Sequence, residues 1–266
     1  MNKFVDTIKK FFKKIADFIN GYDDTHNFTC DICGREVFEN ERVCDKCKKE
    51  LPYIGDKRCP LCGRKVSEAG VCLECKQKPL SVEKVRSVFT HEGEAARLVV
   101  RYKKGNRYLY RTLAELSEPL LIKEFPDCDL VTCVPMTDKA RKKRGYNQSK
   151  LLAEELAMRS GKLYQDTAVK QHETNAQKTL GRDEREKNLK GCFHIVDRKA
   201  VKGKTVLIVD DTLTTGSTVS ELANALKRAG AKTVYALTVT SVEYKDAFGK
   251  PPKKGKPPHH VREKRL

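Results

Sequence analysis

No stretch of this 266-residue chain stays apolar for the roughly 20 residues that cross a bilayer, so no membrane-spanning helix is expected. A secretory signal is missing too: Lys9, Lys10, Lys13 and Lys14 interrupt every apolar core near the N-terminus, and no small-residue cleavage site follows. A cytoplasmic protein is the expectation, with a peripheral position at the inner face of the membrane as its variant. Acidic residues are scarce beside basic ones, 36 Asp and Glu against 54 Lys and Arg, for a formal charge of +18. That balance points to polyanions as partners, with plain solubility as the bland alternative. Tryptophan is absent and aromatics make up only 7% of the chain, and no aromatic-studded groove for nucleic-acid bases is legible. A nucleotide-hydrolase P-loop is lacking as well. Gly203-Lys204-Thr205 echoes its ending, but no glycine stands five residues earlier and the triplet precedes a strand instead of following one. The 39% apolar content is enough for one sizeable core and a small appendage.

The most informative stretch runs from Val206 to Thr218, VLIVDDTLTTGST. Val206, Leu207, Ile208 and Val209 form an unbroken apolar run, as in a central parallel strand covered on both faces. Asp210 and Asp211 follow where that strand is expected to end. Two adjacent carboxylates must face water, a cation or a ligand's hydroxyls, because burying them unpaired is too costly. Thr212 to Thr218 supplies hydroxyls, backbone amides and Gly216. Val219, Leu222, Ala223 and Leu226 then recur at helical spacing until Gly230. The loop therefore opens a helix, where free amides and the helix dipole favour phosphate, while the acidic pair suits a sugar diol or a chelated magnesium ion. A strand, a Thr-rich cap and two solvated aspartates would be the purely structural account.

Four Cys-x-x-Cys pairs stand between residues 30 and 75: Cys30/Cys33, Cys44/Cys47, Cys59/Cys62 and Cys72/Cys75. Two thiolates at this spacing converge on one cation from a tight turn, and a second pair completes a tetrahedron. Two structural zinc ions are expected, since a reducing compartment disfavours disulfides. Spacing alone leaves open whether the sites are sequential (30/33/44/47 and 59/62/72/75) or cross-braced. Cys128, Cys133 and Cys192 are not expected to be ligands.

Elsewhere the chain divides as follows. Residues 1–25 contain an amphipathic helix, with Phe4, Ile8, Phe11, Ile15 and Phe18 on one stripe and lysines opposite. Over residues 1–20 it suits docking on a protein or on a membrane surface. The zinc module spans 28–78, with Lys76 to Leu80 as a linker. From 81 to 243 strands and helices alternate, so the expected fold is an α/β doubly wound parallel sheet with ligands beyond the strand C-termini. Its strands are expected at 82–90, 130–134, 163–170, 192–196, 206–210 and 233–240. Helices are expected at 94–104, 107–125 and 148–159, and a polar flap at 171–190. Pro135 and the loop from Lys139 to Gly145, KARKKRG, follow the second strand. Residues 244–266 form a basic, Pro- and Gly-rich tail expected to be disordered.

The Val206–Thr218 pattern resembles the phosphoribosyl pyrophosphate (PRPP) loop of type I phosphoribosyltransferases. Joined to Cys-x-x-Cys modules, it resembles the ComF family of competence proteins. LVVRYKKG at 98–105, Arg144-Gly145-Tyr146-Asn147-Gln148, and the Thr174, Gln177, Leu180, Arg185, Asn188 and Phe193 series are similar to that family's landmarks. Gln171-His172-Glu173 departs from it, standing where arginines are expected. The resemblance implies that Asp210 and Asp211 hold the ribose hydroxyls and orient the reacting sugar, with magnesium accompanying PRPP. Thr212, Thr214, Thr215, Gly216, Ser217 and Thr218 would wrap the 5′-phosphate. Pro135, Lys139, Arg141, Lys142, Lys143 and Arg144 would form the pyrophosphate side. It further implies a role in DNA uptake, with single-stranded DNA and other uptake proteins as partners. DNA contacts would come from Arg97, Arg101, Lys103 and Lys104, the basic loop and the tail. An active transferase of nucleotide metabolism with an unknown acceptor is the alternative.

Overall fold

A computed structural model of the chain describes residues 29–37, 41–171 and 189–243. The N-terminal amphipathic stretch, the flap and the basic tail lie outside or mostly outside those residues. Among the described residues, no helix is long and apolar enough to cross a membrane.

The chain forms two compact units, Met1–Glu50 and Leu51–Leu266. The first holds the first four-cysteine knuckle and helix α1 (Asp45–Glu50). The second holds the other knuckle, helix α2 (Leu73–Gln77) and the α/β domain. The division between these units falls between residues 50 and 51, so that by packing residues 51–80 belong with the larger unit.

That unit is organised on five parallel strands: β1 (Lys84–Thr90), β2 (Leu130–Cys133), β3 (Leu163–Tyr164), β6 (Thr205–Leu213) and β7 (Thr233–Ser241). Their order is β1-β7-β6-β2-β3. β6 is central and its residues from Val206 to Val209 are fully buried, as an apolar run flanked by strands on both sides must be. Helices α3 (Gly93–Lys103), α4 (Leu109–Glu124), α6 (Gln148–Arg159) and α8 (Ser217–Arg228) cover the sheet, following the expected alternation closely. Leu109, Leu113, Leu116 and Leu121 of α4 face inward as expected, while Leu120 is only half-buried.

Three expectations are corrected. The strand expected at 163–170 splits: only Leu163–Tyr164 joins the main sheet, and β4 (Ala168–Lys170) turns away to pair antiparallel with β5 (Phe193–Ile195). The 192–196 strand is therefore not part of the parallel sheet. The basic loop is a helix, α5 (Asp138–Arg144), started by the Thr137 hydroxyl accepting from the Ala140 amide and stopped at Gly145 with φ of 84°. β6 does not end at Asp210 either. It pairs with β7 through Leu213↔Ser241, three residues farther than the apolar run suggested. A short helix α7 (Arg198–Val201) precedes β6, capped by Asp197.

The outer edge of β1 is covered by the second knuckle's segment. Ile54 donates to the Val88 carbonyl (2.9 Å), Thr90 to Pro52 (3.0 Å) and Val85 to Leu61 (2.8 Å), and Arg86 Nη1 donates to the Pro60 carbonyl (2.9 Å). Glu124 at the end of α4 accepts from Arg58 at 2.6 Å and Arg86 at 2.9 Å, tying this segment to the sheet. An exposed sheet edge is thereby closed off.

Candidate functional site

The eight paired cysteines form two clusters, Cys30/Cys33/Cys44/Cys47 and Cys59/Cys62/Cys72/Cys75, so the sites are sequential and not cross-braced. In each, all four sulfur atoms lie within 4.8 Å of one another. Cys33 Sγ and Cys44 Sγ are 3.8 Å apart, and Cys62 Sγ and Cys72 Sγ 3.7 Å. A zinc ion with bonds of about 2.3 Å at the centre of a tetrahedron gives ligand-to-ligand edges of about 3.8 Å. Cys133 and Cys128 lie instead in the α/β core, and Cys192 packs beside β5.

Ionisation within the clusters also fits a cation. Hydrogen bonding to Arg35 lowers the Cys33 thiol to about 6, whereas burial pushes Cys47 well up. In the second cluster the bond from Cys75 lowers Cys62 to about 5, and burial raises Cys72 to about 11. Four thiols packed this closely cannot all ionise alone, and a divalent ion makes the tetrathiolate stable.

At the C-terminal end of the sheet the acidic pair is not the solvated feature that its charge suggested. Asp211 is buried and its carboxylate sits 2.7 Å from Lys103 Nζ. Lys103, at the end of α3, also donates to Thr212 Oγ1 at 3.2 Å. It thus belongs to this site and not to the exposed DNA-binding face expected for it. Half-buried Asp210 accepts from Ser149 Oγ at 2.7 Å and from the Asp211 amide at 2.9 Å. Burial, followed by the neighbouring Asp211 charge, pushes the Asp210 carboxyl up to about 7, against the pull of these bonds and of Lys103. His91 Nδ1 lies 2.9 Å from Thr240 Oγ1, which bonds Thr212 Oγ1 at 3.2 Å. Burial and then the Lys103 charge lower the His91 pKa.

With β6 extended to Leu213, the turn shrinks to Thr214, Thr215 and Gly216. Gly216 has φ of 79°, a left-handed conformation that disfavours any side chain, and a Cβ there would fall 2.6 Å from Leu80 Cδ2, which would have to shift. Thr215 Oγ1 and Ser217 Oγ are 2.8 Å apart across the turn, and the Ser217 amide donates to Thr215 Oγ1 at 3.3 Å. Thr218 lies in the first turn of α8, whose amides have no intrahelical partners. Thr212 is thus in the strand, while Thr214 to Thr218 form the turn and helix start.

The register Cys133↔Val209 places Pro135 and the whole of α5 at this same end. Lys139, Arg141, Lys142, Lys143 and Arg144 are exposed on α5. Arg141 pairs with Asp138 at 3.0 Å, and Arg144 donates to Gln148 at 2.9 Å. The acidic pair, the threonine turn and the cationic helix therefore gather at one end of the sheet. Sequence reasoning missed Ser149, His91 and Thr240. It also missed Arg64 of the second knuckle, which donates to the Thr214 carbonyl. Ser149 was the most accessible, lying directly after the Asn147-Gln148 helix start; the others carry no local pattern.

Two family models match the chain: a double zinc ribbon domain over residues 27–76 and a phosphoribosyl transferase domain over residues 143–259. The chain is 33% identical over 217 residues to a DNA utilization protein, YhgH, of Salmonella typhi, covering 79% of this chain and 88% of that one. It is 27% identical over 214 residues to competence protein ComFC of Bacillus subtilis, covering 76% and 86%. To competence protein F of Haemophilus influenzae it is 28% identical over 221 residues, covering 78% and 94%.

Proposed function

Because the chain belongs to the ComF family, in which double zinc ribbons accompany a phosphoribosyltransferase domain, we propose that it binds PRPP with magnesium at the end of β6 and serves DNA uptake through this site. The observation that carries the reading is the Asp210–Asp211 pair, held by Ser149 and Lys103, directly before a Gly216-centred turn on a helix N-terminus. The ribose hydroxyls meet the carboxylates, the 5′-phosphate meets the amides and hydroxyls of Thr214 to Thr218, and the cationic helix α5 faces the pyrophosphate. Asp210 and Asp211 are the residues suited to a magnesium ion that arrives with PRPP and neutralises its pyrophosphate.

Calorimetry with PRPP and magnesium tests this. Wild-type protein is expected to bind, and Asp210→Asn with Asp211→Asn to lose binding while keeping a cooperative melt; equal affinity in both forms would overturn the assignment. Release of pyrophosphate, measured with and without candidate acceptors, separates a binding protein from a transferase.

Relatives described as competence and DNA-utilization proteins support a single-stranded DNA partner. The observation favouring it is a basic corner between α3 and α4 that carries an exposed tyrosine. Tyr108 accepts from Arg101 at 3.3 Å, with Arg97, Lys104 and Arg107 also exposed there. An aromatic face among cations is what unpaired bases and their phosphates require. Affinity for an oligothymidylate should fall steeply with salt, and removing residues 245–266 should flatten that slope without changing PRPP affinity. Binding that ignores salt would sink this part.

A further inference from the structure

The two knuckles are repeats of one device. Cys-x-x-Cys-Gly-Arg occurs in both, at Cys30 to Arg35 and at Cys59 to Arg64. Gly34 donates to the Cys30 carbonyl at 2.8 Å, and Gly63 to the Cys59 carbonyl at 2.9 Å. Cys30 donates to Arg35 at 2.7 Å, and Cys59 to Arg64 at 2.8 Å. The Cys44 amide donates to Cys30 Sγ at 3.4 Å, and the Cys72 amide to Cys59 Sγ at 3.5 Å. Arg35 and Arg64 therefore occupy the same place in two copies, and their side chains do different things. Arg35 is exposed and turns back onto Cys33 Sγ (3.4 Å) and Cys44 Sγ (3.9 Å). Arg64 is only 3% exposed; one terminal nitrogen pairs with Glu74 of its own knuckle and the other donates to the Thr214 carbonyl. Its Nε is buried without a partner among the described residues.

Three further contacts fix the same junction. A Cβ on Gly63 would lie 2.4 Å from the Val85 carbonyl oxygen, so the knuckle rests directly on the β1 backbone. Leu80, at the exit of the ribbon, fills the space beside Gly216. The Ser81 amide donates to Ser220 Oγ in the first turn of α8 at 3.2 Å. The threonine turn is thus held from the ribbon side at Thr214, Gly216 and Ser220. A turn of three residues offers few internal bonds, and its carbonyls and amides adopt one orientation only if something outside holds them.

We infer that Arg64 is a positioning residue for the phosphate-binding turn, so that the second zinc, by shaping the Cys62-Gly63-Arg64 knuckle, is a structural part of the PRPP site. The inference rests on the PRPP reading above for its ligand, but not for its geometry. A guanidinium is needed because its planar fork meets Glu74 and the Thr214 carbonyl at once; an ammonium keeps the charge without bridging both.

The test uses the full chain, purified with zinc under reducing conditions. Arg64→Lys is compared with wild type and with Arg35→Lys in four measurements: bound zinc, thermal melt, amide exchange of the peptide covering 212–220, and titration with PRPP and magnesium. Arg64→Lys should keep two zinc ions and a near-wild-type melt. Exchange in 212–220 should rise about tenfold, as expected when a local opening becomes easier. PRPP should bind about tenfold more weakly, as a displaced turn no longer presents its amides together. Arg35→Lys should change none of these. Leu80→Ala, which frees the other side of Gly216, should loosen the same peptide if Arg64→Lys proves insoluble. Unchanged exchange and unchanged PRPP affinity in a fully zinc-loaded Arg64→Lys protein would overturn the inference. Absence of PRPP binding in wild type would instead overturn the functional reading, and the exchange data would still decide the role of Arg64.

Discussion

The first knuckle, Cys30 to Cys47, and the second, Cys59 to Cys75, share ligand spacing, turn hydrogen bonds and the Gly-Arg that follows, yet they belong to different compact units. Around the first, Cys33, Gly34 and Arg35 are exposed and a Cβ on Gly34 would meet nothing within 4 Å. Around the second, Cys62, Gly63 and Arg64 are buried, Gly63 touches β1, and Arg64 reaches the Thr214 carbonyl of the threonine turn. One metal-binding scaffold therefore does two jobs. In the first unit it organises itself; in the second it closes a sheet edge and braces the threonine turn. The difference lies not in the ligands but in what the residues between and after them touch.

The comparison breaks most sharply at the ligands. Structural zinc binding carries free energy on the order of 10 kcal/mol, comparable to the whole stability of a domain. Cys59→Ser should therefore leave about one zinc and destabilise the entire 51–266 unit, seen as an early, non-cooperative melt. Cys30→Ser should also leave one zinc but keep the main melting transition. Equal damage from the two would mean that the units are not thermodynamically separate.

Glycine substitutions should give the next largest contrast. Gly63 and Gly34 have nearly the same φ, 69° and 72°, so alanine at either costs about 1–2 kcal/mol for the left-handed backbone. Gly63→Ala adds a clash with the Val85 carbonyl, worth about 1–3 kcal/mol more. Urea unfolding of the larger unit should register Gly63→Ala, and leave Gly34→Ala without effect on that transition.

A pH-dependent effect of a few degrees is expected at the acidic end of β6. Asp210 is raised to about 7 when folded, so its contribution to stability is full below the ordinary carboxylate pKa of about 4 and is lost as the pH rises through 7. Asp210→Asn should accordingly raise the melting temperature of the ligand-free protein at pH 8, at about 2–4 °C for each kcal/mol recovered. The gain should vanish near pH 4. A gain independent of pH would mean that the carboxyl is already ionised at little cost. Replacing Arg35 by alanine should produce the smallest change of all, with zinc content and melting unaltered, because its contacts are exposed and screened.

Much of the fold was legible in the residues. Val206 to Val209 announced a buried parallel strand because four consecutive apolar side chains satisfy both faces of a central strand. The helix expected at 148–159 has those bounds, Gln148–Arg159. The Lys139 to Gly145 segment was mistaken for a loop because four consecutive basic residues show no apolar face. Its helix follows instead from the Thr137 cap and the Gly145 stop. The true end of β6 was hidden for a related reason: Asp211 continues the strand only because Lys103, more than a hundred positions away, neutralises it.

By itself the sequence determined the eight zinc ligands, the alternation of the main strands with the long helices, and the acidic pair followed by a threonine-rich turn, since each rests on local spacing and periodicity. The tertiary structure alone decided that the zinc sites are sequential, that Lys103 and Ser149 hold the two carboxylates, and that Arg64 meets the turn while Arg35 bends back onto its own knuckle. Those are contacts between residues far apart in the chain. Two arginines at the same place in a Cys-x-x-Cys-Gly-Arg motif are told apart by what the folded chain brings against them.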